Sequence, residues 1–281
     1  MNNHWQLLHS RVFEKRINEA VAFLRRHKIE PILIKGWAAA QNYPEPLQRG
    51  YTDIDLIIAH KDFEYAENLL KTHRDGYIVD LHREAKSLDT LSYENLFKNS
   101  KEILCGDSEV RILCAEDHLR VLSVHWLISG GARKDRLWDI YYAIENRPKD
   151  FDWDKCLNVV SQTRQRWIVC VIGLTRKYLN LNLDDMPIAD CASDIPGWLI
   201  KAVEKEWASD TILMSLEHCL RDRKRLWKQI KKRIPPNPIQ ATVEMEGEFD
   251  DRTRIFYQIG NSFQRLKPSL QRITAKLTIK S

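Results

Sequence analysis

The stretch RGYTDIDLIIAH (49–60) constrains this chain more than any other. Asp53 and Asp55 flank Ile54, and Leu56, Ile57, Ile58 and Ala59 follow without a break. Such an apolar run behind polar residues reads as a strand entering a core. Side chains alternate along a strand, which sets Asp53 and Asp55 on one face and Ile54 and Leu56 on the other. Two carboxylates so close repel each other, which is unfavourable at the mouth of a core unless another charge compensates them. A divalent cation between them turns repulsion into a binding site. Mg²⁺ suits carboxylate oxygens and keeps positions open for water and phosphate. A third carboxylate, Asp80, lies between Val79 and Leu81 in VDLH. If the two strands are neighbours, the three carboxylates converge as in a two-metal phosphoryl-transfer site, with Asp80 able to help accept a proton. Against this, D-x-D pairs are common by chance, and carboxylates at strand starts often only cap loops.

The remaining elements order themselves around this strand. Val12, Phe13, Ile17, Ala20, Val21 and Leu24 recur at helical spacing and predict a helix from about His9 to His27. ILIK (32–35) predicts a short strand ending at Gly36, and WAAAQNY (37–43) a short helix stopped by Pro44 and Pro46. KDFEYAENLLKT (61–72) predicts a helix burying Phe63, Ala66, Leu69 and Leu70; GYIVDLHRE (76–84) and EVRILC (109–114) predict two more strands. From Ala115 onward strand signals nearly vanish. Helices are expected over 116–129, 136–145, 153–163, 166–179 and, as one long element, 209–234, with a further one in the last 35 residues broken near Pro268. The expected architecture is α+β: a small mixed-sheet α/β domain with an N-terminal helix over 1–114, then an all-helical domain over 115–281.

Composition narrows the class. With 43% hydrophobic and 30% charged residues among 281, wholesale disorder is excluded. The opening MNNHWQLLHSRVFEKR is polar and charged and does not read as a secretory signal, and no window has the apolar length of a membrane span. Six scattered cysteines without a CxxC pair suggest reduced thiols and a cytoplasmic protein. The charge is uneven: residues 221–281 hold 15 Lys and Arg against 6 Asp and Glu, which suggests an anionic partner there. Within that region RDRKRLWKQIKKR (221–233) reads as a helix with a solvated basic face and Leu220, Trp227 and Ile230 turned inward. Such a face suits phosphate neutralisation, but with Trp227 inward it has no aromatic platform for bases.

Taken in order, ILIKGWAAAQNYPEPLQRGYTDIDLII resembles the signature of an uncharacterised nucleotidyltransferase family within the DNA polymerase beta superfamily. The matching parts are Ile34-Lys35-Gly36, the small residues Ala38 to Ala40, Tyr43-Pro44, Arg49, and Asp53 to Leu56. VDLHRE (79–84) is similar to the family's third-carboxylate strand, and CAEDHLRVLSVH (114–125) and RLWDIYYAI (136–144) to its downstream helices. The resemblance covers roughly residues 10–145 and implies a polymerase beta-like mixed sheet flanked by helices. It further implies transfer of a nucleoside monophosphate from an NTP co-substrate to an acceptor, with release of pyrophosphate and Mg²⁺ or Mn²⁺ as cofactor. Asp53, Asp55 and Asp80 would be catalytic metal ligands, and Lys35, Gly36, Trp37 and Arg49 would surround the nucleotide. The acceptor could be a small molecule, RNA or protein. One departure stands out: the superfamily loop has Gly followed by Gly or Ser, whereas Trp37 follows Gly36. A non-catalytic nucleotide-binding module is therefore an alternative, as is a toxin-like enzyme docking RNA or protein on the basic helix.

Other residues have plainer readings. Lys35 could be a snorkelling surface residue, and Arg49 could pair with a carboxylate instead of phosphate. His82 shares a face with Asp80 and could flank the metal site, with a structural hydrogen bond as its plainer reading. His118 and His125 could pack a helix, and Asp139 could orient a substrate or an adjacent Arg or, more plainly, sit in a buried pair.

Overall fold

The structure is a computed structural model and describes residues 3–72, 79–85, 87–211, 213–214, 216–219 and 222–265. The start of the expected third strand (76–78), Leu220, Arg221 and the chain from 266 onward lie outside the described residues. Two compact units are present, residues 1–124 with 138–161 and residues 125–137 with 162–281. The helical segments beyond residue 114 are thus shared between them.

The first unit is built on five strands, β1 (Ile32–Ile34), β2 (Ile54–Ile58), β3 (Val79–Arg83), β4 (Lys101–Cys105) and β5 (Ser108–Ile112), in the order β3-β2-β1-β5-β4. β1 runs antiparallel to β2 and parallel to β5, β2 is parallel to β3, and β4 and β5 form an antiparallel pair. Every residue of β1 and β2 is buried. Central strands covered on both faces need continuous apolar runs, which is why ILI and LII show no alternation. The core is completed by α1 (Asn3–Arg26) through Phe13, Ile17, Val21 and Leu24, by Trp37 and Ala38 of α2 (Gly36–Ala40), and by Ala66 of α3 (Phe63–Thr72).

Several elements depart from the sequence-based expectation for identifiable reasons. α1 starts six residues before His9; its first turns carry exposed Trp5, Leu7 and Leu8, which have no buried face to report. Neither β4 nor α4 (Tyr93–Asn99) was expected. β4 buries only Cys105 and turns into β5 at Gly106, whose φ is +58°, and α4 is capped by Ser92, which accepts from the Asn95 amide. The expected helix 153–163 stops as α7 (Trp153–Leu157), because Val159 is exposed and adds nothing to an apolar stripe.

Two more helices, α5 (Ala115–Ile128) and α6 (Leu137–Glu145), precede α7. In the second unit α8 (Gln162–Leu179) buries a run from Trp167 to Thr175. A Cβ on Gly173 would lie 2.1 Å from the Ala192 carbonyl oxygen, so only glycine admits α9 (Ala189–Ser193) this closely. α10 (Gly197–Trp207), α11 (Arg223–Arg233) and α12 (Pro238–Glu244) follow, and residues 255–265 are helical. The single helix expected over 209–234 is broken. Residues 209–211 are not helical, and Asp222 starts α11 afresh by accepting from the Lys224 and Arg225 amides. Trp227, expected to turn inward, is 59% exposed, while Gln229 is buried and accepts from the Met214 amide. No helix among the described residues is long and apolar enough to cross a membrane.

One buried ion network ties the helices of the first unit together. Arg120 of α5 reaches Asp89 at 2.8 Å and Asp117 at 2.6 Å, and donates to the Lys155 and Cys156 carbonyls that end α7. All three charged side chains are nearly inaccessible, so losing the guanidinium leaves two carboxylates uncompensated. Arg120→Ala is expected to destabilise the protein by about 3–5 kcal/mol, measured by urea denaturation. A loss below about 1 kcal/mol would show that the network is dispensable.

Candidate active site

The register of the sheet places the chemistry. Ile34 at the end of β1 pairs with Asp55, and Asp55 pairs across the parallel β2–β3 ladder with Asp80. Two residues further along the same face comes His82. Asp55, Asp80 and His82 each offer one ligand atom, and these atoms lie within 4.8 Å of one another. Asp55 is buried, whereas the Asp80 side chain is 62% exposed. The group therefore joins an interior charge to a solvent-facing one. Asp53 is exposed in a bend one residue before β2, and its carboxylate is not among the grouped atoms.

The Asp55 carboxylate is already compensated from within the chain. Lys35 Nζ lies 2.6 Å from its Oδ1, and His82 Nε2 lies 3.0 Å from the same oxygen and 3.6 Å from Asp80 Oδ2. Lys35 Nζ and His82 Nε2 are themselves 3.2 Å apart. Burial pushes the Asp55 carboxyl up, but the His82 hydrogen bond and the Lys35 charge outweigh it and leave it below the ordinary value. Lys35, whose side chain is only 7% exposed, is thus not a snorkelling surface residue.

Lys35 reaches this oxygen because the chain turns sharply at the end of β1. Its φ is +54°, and Gly36 follows with φ +21°, both in the region that residues with a Cβ resist. The Lys35 amide donates to His118 Nε2 at 3.3 Å, from a ring buried in α5. His118, for which helix packing was the plainer reading, therefore holds the turn. After the turn Trp37 is buried in the core, 4% exposed. The main chain of Asp53 passes close by, its carbonyl oxygen 3.5 Å from where a Gly36 Cβ would stand.

Arg49 is placed differently. Its Nε and Nη2 donate to the two Asp139 oxygens at 3.0 and 2.8 Å, and Tyr43 Oη donates to Asp139 Oδ1 at 2.7 Å. Arg49 Nη1 also donates to the Gly50 carbonyl. Asp139 is the buried partner that its apolar sequence context suggested. His82 makes the hydrogen bond that was its plainer reading and also joins the group of candidate ligand atoms. Its position two after Asp80, on the same strand face, was the available signal.

The two carboxylates of this set suit a hard divalent cation, provided that it displaces the Lys35 ammonium from Asp55 Oδ1. The fold and site thus define an α+β protein with a cation-compatible acidic centre on the sheet. The chain belongs to the uncharacterised nucleotidyltransferase family, which matches it over residues 4–180. Among solved structures, an antigenic nucleotidyltransferase-like protein from Paracoccidioides brasiliensis is similar, at 14% identity and a TM-score of 0.44, over 64% of this chain and 91% of that one. No curated protein matches the chain.

The buried His118 ring gives the site an acid sensitivity of known sign. Burial lowers its pKa from 6.5 to about 4, so the folded state stays neutral where the unfolded chain takes a proton. Its contribution is intact above pH 6.5 and is lost as pH falls towards about 4, by on the order of 3 kcal/mol. In His118→Gln the side-chain carbonyl can still accept from Lys35 but does not titrate. Stability measured by urea denaturation between pH 7 and about 4 is expected to fall less steeply in this variant than in the parent. Equal slopes would remove His118 as the sensor.

Proposed function

We propose that the protein is a divalent-metal-dependent nucleotidyltransferase that moves a nucleoside monophosphate from an NTP to an acceptor hydroxyl and releases pyrophosphate. The observation that carries this reading is the convergence of Asp55, Asp80 and His82 beside the strained Lys35-Gly36 turn. Membership of a nucleotidyltransferase family supports the reaction class. The metal, Mg²⁺ or Mn²⁺, would be held by Asp55 and Asp80 with His82 alongside and Asp53 at the rim. When bound it supplies charge that offsets the negative charge developing on the phosphoryl oxygens.

The chain's own groups have separate tasks in this scheme. The acceptor oxygen attacks the α-phosphorus, the bond to the bridging oxygen of the β-phosphate breaks, and pyrophosphate leaves with that electron pair. The exposed Asp80 carboxylate accepts the hydroxyl proton. Lys35, freed from Asp55, turns its ammonium to the nucleotide phosphates next to Gly36. Trp37 backs this turn from the core side. Arg49 reaches a phosphate only by giving up both hydrogen bonds to Asp139, so its part is that of a reserve cation.

A second reading, a nucleotide-binding module without turnover, is favoured by one observation: Lys35 already fills the cation position at Asp55 Oδ1. Incubation with each α-labelled NTP, Mg²⁺ or Mn²⁺ and a cell extract separates the two. Transfer of label to a small molecule, RNA or protein is expected. Binding of NTP without transfer supports the module instead.

Asp55→Asn and Asp80→Asn should each lower transfer by about a hundredfold or more. Undiminished transfer in both would sink the mechanism. Lys35→Met should raise Mn²⁺ affinity in calorimetric titration without nucleotide, by about tenfold, since it removes a competing charge from a shared oxygen. The same variant should bind NTP more weakly. Unchanged or weaker Mn²⁺ binding would mean that Lys35 does not compete for the site.

A further inference from the structure

We propose that the exposed face of α11 docks single-stranded RNA, with Trp227 as the surface on which a base stacks and the surrounding cations as phosphate contacts. The helix lies within the second unit. Its Trp227 is 59% exposed, an aromatic side chain left in water on a helix otherwise made of Lys, Arg and Gln with two aliphatics. Positions three and four residues away on a helix share a face, so Arg223, Lys224 and Lys231 surround this indole. Lys231 Nζ lies 5.8 Å from its ring centroid. Arg223, Lys224, Arg225 and Lys228 are exposed and make no ion pair with an acidic side chain among the described residues. The one acidic residue at this end, Asp222, is occupied in capping the helix.

The opposite side of the helix is the one that packs. Gln229 is buried, Leu226 and Ile230 are half-buried, and Arg233 donates to the Gln229 side chain. The polarity of the helix is therefore settled by the fold, and the indole with its cations is what remains outside. Lys231 also lines a cavity of about 540 Å³ together with Lys205, Glu206 and Arg265, the last paired with Glu244.

The chemistry selects the partner. Every base has a face on which an indole can stack, and a single strand exposes those faces while its phosphates run past the cations. A duplex hides the faces. A bilayer surface requires a wide apolar stripe, and α11 presents one aromatic ring amid cations. RNA rather than DNA is chosen because each nucleotide carries a 2′-hydroxyl, the acceptor group that nucleotidyl transfer consumes. That choice rests on the reading given under the proposed function.

The test is fluorescence anisotropy of a labelled oligouridylate with the full chain, over a range of salt. Binding is expected, stronger than to duplex RNA, to oligodeoxythymidylate or to phosphatidylserine vesicles. Trp227→Ala should weaken it by about tenfold and Trp227→Phe by less. Combined Arg223→Gln, Lys224→Gln and Lys231→Gln should reduce the slope of log K against log salt by about 2. Trp227 and the three cations are exposed, so the variants are expected to keep the parent's thermal unfolding, which is measured alongside. No binding, a preference for duplex, DNA or vesicles, or a Trp227→Ala variant that binds like the parent would each overturn the proposal. Oligouridylate binding without nucleotidyl transfer to any RNA would uphold the dock while removing the reaction from it.

Discussion

The site depends on one turn that the backbone resists. At the end of β1 the chain passes through two residues of positive φ, and only the second is glycine. Holding a lysine there costs on the order of 1 kcal/mol or more, which the surroundings must exceed. Two contacts do so from opposite ends of the residue. The His118 ring accepts the Lys35 amide, and the Asp55 carboxylate takes the Lys35 ammonium. Because Ile34 is paired with Asp55 and Asp55 with Asp80, the same turn sets the distance between the cation and both carboxylates.

The two buried ion pairs nearby differ in kind. Asp139 receives both prongs of the Arg49 guanidinium and the Tyr43 hydroxyl, so its oxygens are engaged and its geometry is fixed from three sides. Lys35 is a point charge on a flexible stem against one oxygen, beside an imidazole and an exposed carboxylate. Breaking the first strands a buried guanidinium and a buried carboxylate together. Exchanging the second needs only another cation of suitable reach. The arrangement therefore puts rigidity at Arg49 and exchange at Lys35.

How much of this was legible in the sequence follows from what each element depends on. β1, β2 and the helix after β2 could be read directly, since burial on both faces or on one stripe leaves a pattern in the residues themselves. β5 was legible in EVRILC through its buried Val110 and Ile112, whereas β4 left little, being an edge strand that buries only Cys105. Asp55 and Asp80 are visible as carboxylates set in apolar strand patterns, and Lys35 and Gly36 through the resemblance to the nucleotidyltransferase signature. The like charges point to an external cation, and the structure adds an internal one, the Lys35 ammonium against Asp55. The His118 strut was not legible, because a contact 83 residues away in sequence has no local signature. Trp37, where the superfamily loop has a small residue, is buried in the core, a placement that its position after Gly36 does not announce.

Trp227 shows the same limit from the other direction. In the stretch 221–233, with three apolar residues among eight cations and one acid, hydrophobic periodicity cannot decide which side is buried. The decision here is polar. Gln229 is drawn inward because its side-chain oxygen satisfies the Met214 amide and the Arg233 guanidinium, both of which would otherwise lack that acceptor. Once Gln229 is fixed inside, residues two positions away must face elsewhere, and the indole is left in water with cations on either side. An amide that satisfies two donors thus exposes a tryptophan, and in the RNA dock proposed above that exposed ring is what would meet the face of a base.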